Sequence, residues 1–232
     1  AMLAGKHLWD SELLRNLRYF DDGTRSCDAY GGLPENLYIA FRKTAAAYPA
    51  NIALVDDDGT RISYAALLEL TDRFAGYLQT KYAVGTGEHV ALMLYSSAVF
   101  CVSYLALNKL GAVTLALPTK FRHDEVLALL SKSDARLILC DVDFAGWMAA
   151  LEEEGIACAV LRPSVQYLIG ALPTPVWQGQ DPQGAAAAEP AILMYTSGTT
   201  SLSKGALLTN FNVMNSVETY RSLLNITPED KT

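Results

Sequence analysis

A chain of 232 residues with a net charge of -7 can bury a substantial core in one large domain or two small ones, and it lacks the basic surface a broad nucleic-acid contact needs. Its 51% hydrophobic and 19% charged residues exclude a disordered chain. The four cysteines (Cys27, Cys101, Cys140, Cys158) form no C-x-x-C pair and the histidines His7, His89 and His123 make no cluster, so buried free thiols in a reducing, cytoplasmic setting are expected, with no metal site.

Residues 1–35 read as a leader with a short amphipathic patch (Leu8, Trp9, Leu13, Leu14, Leu17) and the turn-rich pieces Asp21-Asp22-Gly23 and Gly31-Gly32-Leu33-Pro34. Lys6, Asp10, Glu12 and Arg15 interrupt this stretch too early for a signal peptide. Residues 36–161 read as an α/β subdomain. Asn36 precedes a helix-like run that stops at Tyr48-Pro49, and Ile52 to Tyr64 reads as a hairpin about Asp57-Asp58-Gly59. Asp56-Asp57-Asp58 fits a solvated turn better than a cation site.

From Ser63 strands and helices alternate. Ser63 caps a helix whose face carries Leu67, Leu70, Phe74, Tyr77 and Leu78. Strands are expected at His89–Leu94, Val113–Leu117, Arg136–Cys140 and Ile156–Leu161, with helices at Ser97–Leu110, His123–Ser133 and Phe144–Glu154 between them. Val90 to Asn108 contains no charged residue and has about the length of a membrane span, but Ser96-Ser97 divides it into a strand and a helix, so no membrane span is expected. Apolar strands spaced by helices predict the α/β class, with a mostly parallel sheet flanked by helices on both faces.

Residues 162–189, with four prolines, three glycines and the run Ala185 to Ala188, read as a loop or linker. Residues 190–232 complete the subdomain with a strand at Ala191–Tyr195, a polar loop, a segment Ala206–Leu208 and a helix from about Asn210 to Asn225.

That loop carries the chemistry. Tyr195 to Asn212 reads YTSGTTSLSKGALLTNFN, combining glycines, hydroxyl side chains and a lysine behind an apolar strand. Glycine lets backbone approach a polyphosphate, N–H and hydroxyl groups donate to it, and lysine supplies charge. The alternative reading is a plain polar hairpin. A Walker A loop does not fit: from Gly198 the residues are G-T-T-S-L-S-K-G, with Ser203 where glycine is needed and Gly205 where a magnesium-binding hydroxyl is needed.

The string closely resembles the phosphate-binding loop of the adenylate-forming superfamily of acyl- and aryl-CoA synthetases, peptide-synthetase adenylation domains and luciferases, Y-T-S-G-T-T-G-x-P-K-G-V followed by T-H-x-N. Tyr195, Thr196, Ser197, Gly198, Thr199, Thr200, Lys204, Gly205, Thr209 and Asn212 match it. Arg61-Ile62-Ser63-Tyr64, Gly87 to Leu94 and Leu107 to Val113 resemble further family segments in the family's order, so the resemblance covers most of residues 36–225. Three positions depart from it: Ser201 for glycine, Ser203 for proline and Asn210 for histidine. Asn210 can cap the next helix but cannot titrate near neutral pH.

The resemblance implies the first part of the large N-terminal domain of an AMP-forming ligase. It assigns Thr196, Ser197, Gly198, Thr199, Thr200 and Lys204 to the β- and γ-phosphates of ATP, with Mg2+ accompanying the triphosphate. It further implies a small carboxylic acid as substrate and coenzyme A or a carrier-protein thiol as acceptor, with the catalytic residues beyond Thr232. The chain alone is then expected to be inactive, and to self-associate through a sheet edge or apolar face left uncovered. A non-catalytic interaction module, a peptide-synthetase-type adenylation domain and a conventional NTPase are the alternatives.

Overall fold

The structure, a computed structural model, describes residues 16–21, 23, 26–173, 181–196 and 204–230. The patch Leu8 to Leu14 lies outside them.

Three sheets form. Strands β1 (Leu17–Asp21) and β2 (Ser26–Tyr30) make an antiparallel hairpin, so the second half of the expected leader has structure of its own. After helix α1 (Leu37–Ala47), strands β3 (Ile52–Val55) and β4 (Arg61–Ser63) make the second hairpin. The main sheet has six strands in the order β10-β9-β6-β5-β7-β8. They are β5 (His89–Met93), β6 (Val113–Ala116), β7 (Leu137–Asp141), β8 (Ala157–Leu161), β9 (Pro190–Thr196) and β10 (Lys204–Thr209). All neighbours are parallel except β9 and β10.

The helices follow from sequence signals. In α2 (Tyr64–Tyr82) the Ser63 hydroxyl accepts from Ala66 N–H, and Leu67, Leu70, Phe74 and Leu78 are buried along one face. In α3 (Ala98–Leu110) Ser97 caps the start. At its end Gly111 turns left-handed (φ 71°), with Ala112 N–H reaching Leu107 O at 3.0 Å, a glycine stop. Helix α4 (His123–Lys132) starts with the Glu125 carboxylate accepting from Arg122 N–H at 2.8 Å. A 3-10 turn, Val142–Trp147, leads into the short α5 (Met148–Glu153), so the helix expected from Phe144 is α-helical only in its second half.

Helix α6 (Val165–Ala171) falls inside the stretch read as loop or linker. Its proline and glycine content hid a short amphipathic turn that buries Val165 and Leu168. Helix α7 (Asn210–Leu223) follows β10.

Right-handed crossovers dictate which face each helix covers. The chain steps from β5 to β6 in one direction and then back past β5 to β7 and β8, so α3 takes one face and α4 and α5 the other. The return from β8 to β9 puts α6 on the α3 face. Strand β5 shows the consequence: Val90, Leu92 and Leu94 pack with α2 and α3, whereas Ala91 and Met93 pack with α4 and the turn before α5. Burying each such leucine contributes about 1.5–3 kcal/mol. The span Val90 to Asn108 is thus strand plus helix, and no helix among the described residues is long and apolar enough to cross a membrane.

Candidate functional site

Strand β9 runs parallel to β6, so its last residue, Thr196, reaches the edge where β5, β6 and β7 also end. In open α/β sheets that carboxyl edge is where ligands bind. Strand β10 returns antiparallel with Lys204 opposite Thr196 in the ladder, so both strands of the hairpin meet that edge at these two residues. Of the predicted phosphate contacts, Thr196 closes β9 and Lys204 opens β10 with an exposed side chain. Ser197, Gly198, Thr199 and Thr200 lie outside the described residues, as does Ser203.

Gly205 has a visible reason. A Cβ there would stand 3.1 Å from Leu193 Cδ1 and 3.3 Å from Tyr195 Cε1, because the Tyr195 ring lies against the Gly205 backbone. Burial, then the charge of Asp134, pushes the Tyr195 phenol above its ordinary value, so it stays protonated at neutral pH.

At the base of this hairpin the helix cap is Thr209, not Asn210. The Thr209 hydroxyl accepts from Asn212 N–H at 3.3 Å, and Asn212 Oδ1 accepts from Thr209 N–H at 3.0 Å. Asn210 turns inward and is buried, its Nδ2 donating to Ala186 O at 3.2 Å and Glu189 O at 3.3 Å. An asparagine amide can make both bonds, and it does so without a titrating group.

The same carboxyl edge carries an aromatic row that the sequence patterns did not reveal. Tyr95 lies 5.8 Å from Phe144, Phe144 lies 5.2 Å from Trp147, and Trp147 lies 5.8 Å from His123, edge to face. These residues come from the loop after β5, the start of α4 and the 3-10 turn after β7, and only strand order brings them together. Asp141, at the end of β7, is buried, and desolvation raises its carboxyl above the ordinary value. Among the described residues no three His, Cys, Asp or Glu side chains stand close enough to hold a metal ion. Asp56, read as part of a solvated turn, instead accepts from Ala98 N–H at 3.1 Å and sits at the start of α3.

A groove of about 530 Å³ lies between β2 and α7, lined among others by Cys27, Phe211 and Tyr220. Lys204 is not among its described lining residues.

Comparison with known proteins agrees with this geometry. The family model described as AMP-binding enzyme matches residues 41–232. The medium-chain fatty-acid–CoA ligase of Escherichia coli K12 is 28% identical over 252 residues, spanning 97% of this chain and 43% of that protein. A polyketide synthase–nonribosomal peptide synthetase of Aspergillus clavatus is 27% identical over 176 residues, spanning 74% of this chain and 4% of that protein. Among solved structures, ATP-bound MatB from Rhodopseudomonas palustris superposes with a TM-score of 0.72 at 25% identity, covering 84% of this chain and 39% of that one. The chain therefore spans less than half the length of these relatives. A sheet of this order, a hairpin whose strands meet its carboxyl edge and a family match over most of the residues lead to one assignment: the chain belongs to the AMP-binding enzyme family.

Proposed function

We propose that this chain supplies the triphosphate-holding part of an adenylate-forming ligase, with Thr196, Ser197, Gly198, Thr199, Thr200 and Lys204 directed at the β- and γ-phosphates of ATP. The observation that carries the reading is the β9–β10 hairpin, whose strands meet the carboxyl edge at Thr196 and at an exposed Lys204, the two ends of a hydroxyl- and glycine-rich sequence. A carboxylate oxygen of the substrate acid would attack the α-phosphorus and break its bond to pyrophosphate. A thiol would then attack the acyl carbon and release AMP. The loop's part is positioning and charge neutralisation, not proton transfer. Magnesium, where it accompanies the triphosphate, would add to the neutralisation.

The thiol would be that of coenzyme A or of a carrier protein, since the relatives include both a CoA ligase and a peptide synthetase. The 232 residues alone would not complete the reaction, because contacts to the outer phosphates without groups for the α-phosphate give no transition-state binding.

Titration calorimetry with inorganic tripolyphosphate tests the loop. Weak binding by the wild-type chain, reduced about tenfold in Lys204→Ala, is the expected result. Equal binding by both would overturn it. Acid-dependent exchange of pyrophosphate into ATP by the purified chain would overturn the claim of inactivity.

A further inference from the structure

The most deeply buried charge among the described residues lies away from the loop. Lys109, on α3, has no exposed surface, and its Nζ stands 2.9 Å from Asp72 Oδ1 on α2 and 2.7 Å from Asp181 Oδ1. It also donates to the Tyr38 hydroxyl at 2.8 Å, and that hydroxyl donates to Asp72 at 3.0 Å. Burial alone would lower the lysine pKa, but the bonds to Asp181, Tyr38 and Asp72 outweigh it and hold the ammonium above its ordinary value. Burial pushes the Tyr38 phenol up to about 12. The lysine is charged, and removing a partner would leave that charge poorly compensated.

Asp181 opens the segment that leads into β9, and this segment is fastened residue by residue. Gly184 N–H donates to Lys109 O at 2.7 Å. Asn36 Nδ2 donates to Gln183 O at 3.0 Å and Ala185 O at 2.8 Å, and Arg42 bonds the Gln183 side chain. Gly184 has φ +82°, and a Cβ on it would meet Asn36 Nδ2 at 2.6 Å, so the backbone lies directly against α1 and α3. The next residues grip the hairpin. Ala187 O accepts from Phe211 N–H at 2.7 Å and Glu189 O from Asn210 N–H at 3.0 Å, while Pro190 pairs with Thr209. Both strands of the β9–β10 hairpin thus leave from a base held by residues 185–189.

We propose that Lys109 and Asp181 are positioning residues for the phosphate loop, clamping the base of the hairpin that carries it. The contact with ligand is left to the loop, and the clamp fixes the direction from which the loop is presented. The inference rests on the phosphate reading above only for its functional consequence.

Amide hydrogen exchange and tripolyphosphate titration on the same variants test it. Asp181→Asn, whose carboxylate is half exposed, should speed exchange in residues 190–196 and 204–209 at least tenfold and leave 89–93 and 137–141 within twofold. It should also weaken tripolyphosphate binding about tenfold. Asp72→Asn, which keeps the Asp181 contact, should leave the hairpin within twofold. Lys109→Met should match Asp181→Asn if it folds, and Asp181→Asn decides the matter if it does not. Uniform acceleration of every strand, or an unchanged hairpin in Asp181→Asn, overturns the clamp. Local acceleration in a chain whose wild type binds no tripolyphosphate supports the clamp and overturns the phosphate reading instead.

Discussion

The Tyr195 ring lies against the backbone of Gly205, so the residue before the loop rests on the residue that follows its lysine. Gly205→Ala forces Leu193 and Tyr195 to give by a few tenths of an ångström and should cost about 1 kcal/mol; Gly205→Val should cost about 2–3 kcal/mol. Urea denaturation measures both. Equal midpoints for wild type and valine variant would show that the ring has room to move.

The carboxylate of Asp56 caps α3 from a different hairpin, accepting the Ala98 N–H at 3.1 Å. Asp56→Ala should destabilise the chain by about 1 kcal/mol, the usual cost of losing an acidic group at a helix start. The Cys101 thiol is held above its ordinary value by burial first and by the Asp56 charge second. Alkylation of Cys101 near pH 8 should therefore be faster in the variant, and an unchanged rate would count against this electrostatic link.

The regular alternation from Ser63 to Leu161 was legible because each helix carries a local cap or stop and each strand is apolar on both faces. Ser63, Ser97 and Gly111 act as their types suggest. Four features were not legible, for related reasons. Helix α6 is short and flanked by residues that normally signal loops. The Asp56 cap and the Lys109–Asp181 pair join residues 42 and 72 positions apart, and nothing local marks either partner. Family membership was readable from the ordered residues of the loop, whereas the aromatic row at the carboxyl edge depends on strand order.

Cys140 and Cys158 should dominate the alkaline limb of stability. Burial pushes their thiols up to about 12 and about 11, from an ordinary value near 9. The folded state thus keeps protons that the unfolded chain loses above pH 9. Their contribution is complete below that pH and disappears as pH rises toward 11–12, at up to about 1.4 kcal/mol per pH unit for each thiol. Denaturation midpoints between pH 8.5 and 10.5 should fall with a shallower slope in Cys140→Ala than in the wild type. Parallel slopes would place the proton linkage elsewhere.

The β1–β2 hairpin is tied to α7 by Asn215 Oδ1, which accepts from Tyr30 N–H at 2.8 Å, and by Phe20 against Phe211 at 4.8 Å. Asn215→Ala should cost about 1–2 kcal/mol locally by orphaning the Tyr30 amide. Exchange at Tyr30 should quicken while the six-stranded sheet keeps its protection. A global loss of protection would mean that the hairpin is part of the main cooperative unit.

The strand that bears the loop joins the sheet beside β6, yet Leu115 and its partner Leu193 are 78 residues apart in the chain. Between them the chain lays down β7 and β8 on the opposite side of β5. Closing so distant a pair costs more entropy than each earlier step and returns nothing until β6 is in place. On a growing polypeptide, a parallel four-stranded platform can therefore mature while the β9–β10 hairpin is still unmade. Errors in that last docking would spare the platform and displace only the hairpin.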